Sequence, residues 1–207
     1  MEGGFRRLRS LDRTARFVSR PALELSRENT MKTRSLLPAL LLFALASRAD
    51  DSRPDESRAD RGRRFRAVLV GTEETPAIFT AGSGRLTARI VDNDTRIEFT
   101  LTYANLTAAP LVAHVHFGQR NVAGGVSFFF CGGGGKPACP SSTSGTITGT
   151  VVAADVLGPV AQGIEPGDLA AIIQMMRAGF TYANMHTPLH TAGEIRGQLK
   201  ARDDDDW

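Results

Sequence analysis

Apolar and polar positions alternate with a period of two through much of the stretch from residue 65 to residue 200. Leu86, Ala88 and Ile90 alternate with Arg85, Thr87 and Arg89; Ile97, Phe99, Leu101 and Tyr103 alternate with Arg96, Glu98, Thr100 and Thr102. Residues two apart share one face of a strand, so each run predicts a half-buried strand. Asp92-Asn93-Asp94 supplies a tight turn between them, and the pair reads as a hairpin. Phe65 to Val70 is an earlier strand closed by Gly71; Leu111–Phe117, Val126–Phe130 and Ile147–Ala153 are further strands, and Tyr182–His186 with Glu194–Lys200 forms a last hairpin. The period changes once. Asp168 is placed to cap a helix running to Arg177, with Leu169, Ile172, Ile173 and Met176 on one face and Gly179 as its stop. About eight strands and one short helix predict a mainly β fold, an antiparallel β-sandwich or a barrel-like relative.

The regions outside this stretch follow other rules. Residues 1–30 form an Arg-rich extension ahead of a second methionine, Met31, which we take as the expected start. Residues 31–49 have a short basic start, an apolar run from Ser35 to Ala46 and small residues at two candidate cut sites, the layout of a secretory signal peptide. The run is too short to span a bilayer comfortably. Residues 50–64 hold almost nothing apolar and read as a disordered linker, because they cannot bury enough surface to offset their ordering entropy. Residues 201–207 are an acidic tail; like charges in a flexible segment offer calcium no fixed cage. The expected product is secreted, periplasmic or on the cell surface, with no transmembrane segment when mature.

Charge sharpens this division. The chain carries +3 overall, but residues 1–46 hold 9 basic and 4 acidic residues, a net of +5, and residues 47–207 hold 16 and 18, a net of −2. The basic balance belongs to the leader, which argues against nucleic acid as a partner. Cys131 and Cys139 are the two cysteines, and an even count in an exported chain favours a disulfide. The four glycines between them resemble a phosphate cradle, but no Lys-Ser/Thr follows and no helix opens there. A Cys-His metal site would need reduced thiols, which an oxidising compartment discourages.

Several motifs line up together. Ala113-His114-Val115-His116-Phe117-Gly118, the Gly124-Gly125-Val126 turn, Arg177-Ala178-Gly179, and above all Tyr182-Ala183-Asn184-Met185-His186-Thr187 followed by Gly193-Glu194-Ile195-Arg196-Gly197-Gln198 resemble the chordin-type (CHRD) domain. The resemblance covers about Phe65 to Lys200, and Cys131 to Pro140 is similar to a variant of secreted microbial members. It implies an immunoglobulin-like extracellular β module. In animals the family is part of a protein that binds growth factors. No other animal-type module accompanies this one, so that activity is not carried over and the partner expected is an unidentified extracellular protein or surface ligand. Pro188 to Ala192 departs from the family pattern, and His190 within it matches no family motif.

On a strand, His114 and His116 project together. Tyr182, Asn184 and His186 share a face, as do Glu194, Arg196 and Gln198. If these strands adjoin, two accounts follow. The first is a structural polar network of Asn184, Glu194 and Arg196 with the histidines, Glu194 pairing with Arg196. The second is a copper or zinc site of His114, His116 and His186, with His190 as a weaker fourth ligand, open to redox chemistry if copper is held. His-Val-His-Phe-Gly is also similar to the copper-ligand strand of copper-zinc superoxide dismutases, but their other ligands have no match and their activity is not carried over. No nucleophile-elbow motif occurs, and the reading favours a binding or structural module over an enzyme. Asn93-Asp94-Thr95 and Asn105-Leu106-Thr107 fit glycan acceptors in a host that glycosylates.

Overall fold

A computed structural model describes residues 62–202; the extension, the segment expected to be a signal peptide, most of the expected linker and the acidic run Asp203–Asp206 lie outside the described residues. The strands are β1 (Arg64–Val70), β2 (Ser83–Val91), β3 (Arg96–Ala104), β4 (Val112–Phe117), β5 (Gly125–Cys131), β6 (Gly145–Val152), β7 (Thr181–Thr187), β8 (His190–Gln198) and β9 (Lys200–Ala201). Among the described residues one α-helix, α1 (Leu169–Arg177), precedes β7. Asp168 caps it as the sequence predicts, its carboxylate accepting from Ala171 N–H, and Gly179 ends it in the left-handed region at φ +76°.

The sheet runs β5-β4-β7-β8-β1-β2-β3-β6, all antiparallel, with β9 beside β1. The β8–β1 junction is thin: one pair, Val70 with Arg196. There the order divides into two four-strand halves that pack face to face. Phe99 of β3 meets Phe130 of β5 with ring centroids 4.5 Å apart, and a Cβ on Gly84 of β2 would lie 3.1 Å from Ile195 of β8. The core between the halves comes from inward residues such as Leu69, Leu86, Leu101, Val115, Met185 and Ile195, each fully buried. Each such side chain contributes roughly 1.5–3 kcal/mol of burial. Gly197 allows the halves to meet, since a Cβ there would lie 2.2 Å from the Val68 carbonyl oxygen.

The mainly β sandwich with a helix before β7 matches the expectation, and element ends shift by a residue or two, as in β5 and β6; other differences are the following. β1 starts at Arg64, one residue earlier than read. The last predicted strand is two strands, β8 and β9, because the chain breaks pairing at Leu199, whose N–H donates to Thr181 O instead. His190, expected in a loop, opens β8 and pairs with Thr187, since the hairpin turn takes only Pro188 and Leu189.

Cys131, at the end of β5, is bonded to Cys139 across a Cα–Cα distance of 5.0 Å and a separation of eight residues. So short a loop loses little entropy on closure. Reduction should cost roughly 2–3 kcal/mol at most, read as a modestly lower melting temperature in dithiothreitol. Identical melts would mean that the loop needs no staple.

Candidate functional site

The two halves differ on their outer faces. On β2 and β3 the outward side chains, such as Arg85, Thr87, Glu98 and Thr100, are exposed. On β4, β7 and β8 the outward residues are equally polar, yet His114, His116, Asn184, Glu194 and Arg196 are all buried. Strand register sets them in rows: His114 beside Asn184 beside Arg196, and His116 beside Tyr182 beside Gln198. The connections Gly71–Gly82 and Gly118–Gly124 cover this face, so its polar groups have to be satisfied by protein.

On β8 they are. Glu194 accepts from Thr107 N–H (2.8 Å), Thr107 Oγ1 (2.7 Å), Thr187 Oγ1 (2.7 Å) and Thr80 Oγ1 (2.8 Å). Burial alone would push its carboxyl up, but these donors outweigh it and hold the group below the usual carboxylate range. Arg196 donates to the carbonyls of Gln119 (3.0 Å) and Val122 (2.9 Å) and to Thr75 Oγ1 (3.3 Å). Its guanidinium lies 3.5 Å over the Tyr182 ring, which stacks in turn on His116 at 4.6 Å. Gln198 donates to the carbonyls of Gly118 (3.0 Å) and Gly179 (2.9 Å). Each anchor ties a covering loop to the sheet.

Glu74, from the Gly71–Gly82 connection, enters the same face and has no signal in the sequence. Burial pushes its carboxyl up to about 7, against the charge of Arg196 and hydrogen bonds from Asn184 and the Thr75 backbone. Gly193 makes room for it. A Cβ at that position, where φ is +127°, would lie 2.5 Å from Glu74 Oε1 and 2.7 Å from Asn184 Nδ2.

The histidine end is not satisfied in the same way. His116 Nδ1 lies 2.8 Å from Gly124 O, and His186 Nδ1 lies 2.8 Å from Thr191 O. A carbonyl only accepts, so both Nδ1 atoms donate, and in the neutral rings both Nε2 atoms hold lone pairs. Those Nε2 atoms sit 3.2 and 3.0 Å from Asn184 Oδ1, itself an acceptor. Three lone-pair atoms thus face one another without a proton between them. Reversing the Asn184 amide would supply N–H groups to both rings, but would turn Oδ1 toward Glu74, a contact that suits only the protonated carboxyl. His114 adds a further ring, with centroids 4.5 Å from His116 and 4.7 Å from His186, and its buried Nδ1 has no hydrogen-bond partner. Burial first, then the neighbouring His116 and His186, lower its pKa to about 3, so it is neutral. One nitrogen from each of His114, His116 and His186 lies within 4.8 Å of the other two.

The structure therefore brings the three histidines together around Asn184 and leaves His190 out of the cluster. It also corrects the expected Glu194–Arg196 ion pair. Among the described residues none joins them: Glu194 is held by Thr80, Thr107 and Thr187, and Arg196 by the Gln119 and Val122 carbonyls and Thr75. Thr80, Thr107 and Thr187 complete Glu194, and Glu74 lies beside Arg196. Their segments have no periodicity that would have announced them; Thr187 alone adjoins a motif histidine.

The CHRD domain family model matches residues 65–199, which takes in β1 to β8 and every residue of the buried polar face named above. No curated protein and no solved structure matches the chain. The match spans well over half of the sequence, and the chain belongs to the CHRD domain family.

Proposed function

We propose that this CHRD domain is an exported β module that binds one copper or zinc ion through His114, His116 and His186, with Asn184 Oδ1 completing the donor set. The observation that carries this reading is the pair of Nε2 lone pairs facing the amide oxygen. With the Asn184 amide oxygen toward the rings, hydrogen bonding leaves those acceptors opposed, whereas one cation satisfies them all. Imidazole nitrogens suit both metals, and backbone carbonyls on the two Nδ1–H groups are the outer partners that orient metal-binding histidines. A metal–nitrogen bond is about 2.0–2.1 Å, so binding draws in the three rings, whose ligand nitrogens lie within 4.8 Å of one another. His186 is only half-buried and offers the way in.

Support for export comes from the disulfide and from the leader pattern. Among the described residues, no helix is long and apolar enough to cross a membrane. The structural-network reading keeps Glu194 and Arg196, whose bonds close without an ion. Titration of chelator-treated protein with Cu²⁺ and with Zn²⁺, followed by calorimetry, tests the metal reading. Wild type should saturate at one equivalent, and ligand at a hundredfold over its Kd should raise stability by about 2.7 kcal/mol. No heat and no stabilisation at equivalence would refute it.

A further inference from the structure

The glycine run between the two cysteines lies against the histidine cluster. Gly132 turns the chain back across the start of β4: its φ is +76°, and a Cβ there would lie 2.1 Å from the Leu111 carbonyl oxygen. Gly133 and Gly134 then rest on the ring of Phe129, where added Cβ atoms would approach to 2.4 and 2.8 Å. The same ring meets His114 in a T-shaped contact, with centroids 5.0 Å apart. The loop is fastened in three ways. Gly132 N–H donates to Pro137 O (2.7 Å) and Lys136 N–H to Gly133 O (2.9 Å). The Lys136 side chain donates to Thr150 O (2.8 Å) and pairs with Asp155 (2.9 Å). The covalent tie is the bond from Cys139 to Cys131, two residues beyond Phe129 on β5.

We propose that this disulfide is a redox control on the site of His114, His116 and His186, acting through Phe129; the inference rests on those histidines holding a metal. Intact, the bond keeps the loop on Phe129 and Phe129 on the His114 ring, so one ligand is held in place from outside. A dithiol reductant transfers two electrons: the S–S bond breaks, two thiols form, and the reductant closes to its own disulfide. The loop then keeps only its backbone bonds and Lys136, Phe129 is released, and His114 turns more freely and meets water. Cys131 does not take over the metal, because it is 2% exposed and belongs to the core beside Ala113.

The test is carbethoxylation of the metal-free full chain by diethyl pyrocarbonate, read at each histidine by peptide mass spectrometry, with Zn²⁺ and Cu²⁺ titrations alongside. In Cys131→Ala/Cys139→Ala, His114 should react about tenfold faster than in wild type, and metal should bind about tenfold more weakly. His190, outside the cluster, should react at the same rate in both, which separates release of the loop from global unfolding. Phe129→Ala should accelerate His114 equally with the disulfide intact, and removing the cysteines from that variant should add nothing. Unchanged His114 labelling in the cysteine variant, or metal held as tightly or more tightly, would overturn the proposal. Wild type that takes up neither metal would overturn the metal reading and with it the control of metal, while a retained labelling difference would leave the clamp on His114 standing.

Discussion

Arg196→Ala should unfold more easily than wild type by roughly 3–5 kcal/mol. The side chain is 3% exposed and serves three acceptors. Truncation leaves the Gln119 and Val122 carbonyls without their donor and frees the loop they anchor. It removes the cation from the Tyr182 face, and with it one side of the stack that ends on His116. It also withdraws the positive charge beside Glu74. Glu194 is not part of this cost, because its four donors remain. Arg196→Lys keeps the charge but not the fork, and should fall between the two. Urea denaturation of all three proteins decides the matter, and an Arg196→Ala midpoint equal to wild type would remove Arg196 as an anchor of the face.

Acid should destabilise the metal-free protein strongly between pH 6.5 and 3. His114 is held neutral in the fold, with its pKa lowered from 6.5 to about 3 mainly by burial. In that window the unfolded chain takes up a proton that the folded chain refuses, so stability falls as pH falls. At about 1.4 kcal/mol per unit, His114 alone is worth on the order of 5 kcal/mol at full effect. His116 is lowered in the same direction, by burial first, although its bonds to Gly124 and Asn184 oppose the shift. Glu74 works with the opposite sign. Its pKa rises from 4.5 to about 7 in the fold, so its contribution is complete below 4.5 and is lost as pH rises through 7. It offsets part of the histidine slope between pH 4.5 and 6.5, and the steepest loss falls below 4.5. Denaturation across this range in the presence of a chelator should show that limb, and His114→Leu should flatten it. An acid limb unchanged in His114→Leu would place the titrating groups elsewhere.

How much of this was legible in the sequence depends on where each residue sits. β2 and β3 were readable because one face meets the core and the other meets water, so burial follows the alternation of Ile97, Phe99, Leu101 and Tyr103 with their polar neighbours. α1 was readable to the residue, because Asp168 and Gly179 are the local chemistry that starts and stops a helix. β4, β7 and β8 show the same alternation, but it misleads about exposure. Their polar side is covered by loops, and nothing in the spacing of His114, Asn184 or Arg196 records a cover. The partners that decide the site chemistry come largely from those covers: Glu74 and Thr80 from one loop, Gly124 from another, Thr107 from a third. Side chains contributed by irregular segments have no period to read. That is why Glu194 and Arg196 were expected to pair with each other, and why Glu74 had no place in the expected site. His190 was assigned to a loop because the motif spacing suggested a connection from Thr187 to Gly193, whereas the turn takes only Pro188 and Leu189 and β8 begins four residues earlier than expected.

The Gly193–Gln198 motif becomes physical in this light. Gly193 yields space to Glu74, Glu194 and Arg196 anchor loops outward, Ile195 fills the core, Gly197 admits β1, and Gln198 holds the carbonyls of Gly118 and Gly179. Nearly all of it serves architecture. The histidines and Asn184 stand apart, since His114 Nδ1 has no partner and two ring nitrogens converge on one amide oxygen.

The most direct measurement is the metal content of protein purified without an affinity tag, wild type and His116→Ala side by side, with a thermal melt of each. A site built from His114, His116 and His186 predicts stoichiometric copper or zinc in wild type and its loss in His116→Ala, with binding in wild type weakening as pH falls below roughly 6 and imidazole protonates. Wild type free of metal and unresponsive to added copper or zinc, together with a large loss of stability in His116→Ala, would contradict it and make the three rings structural.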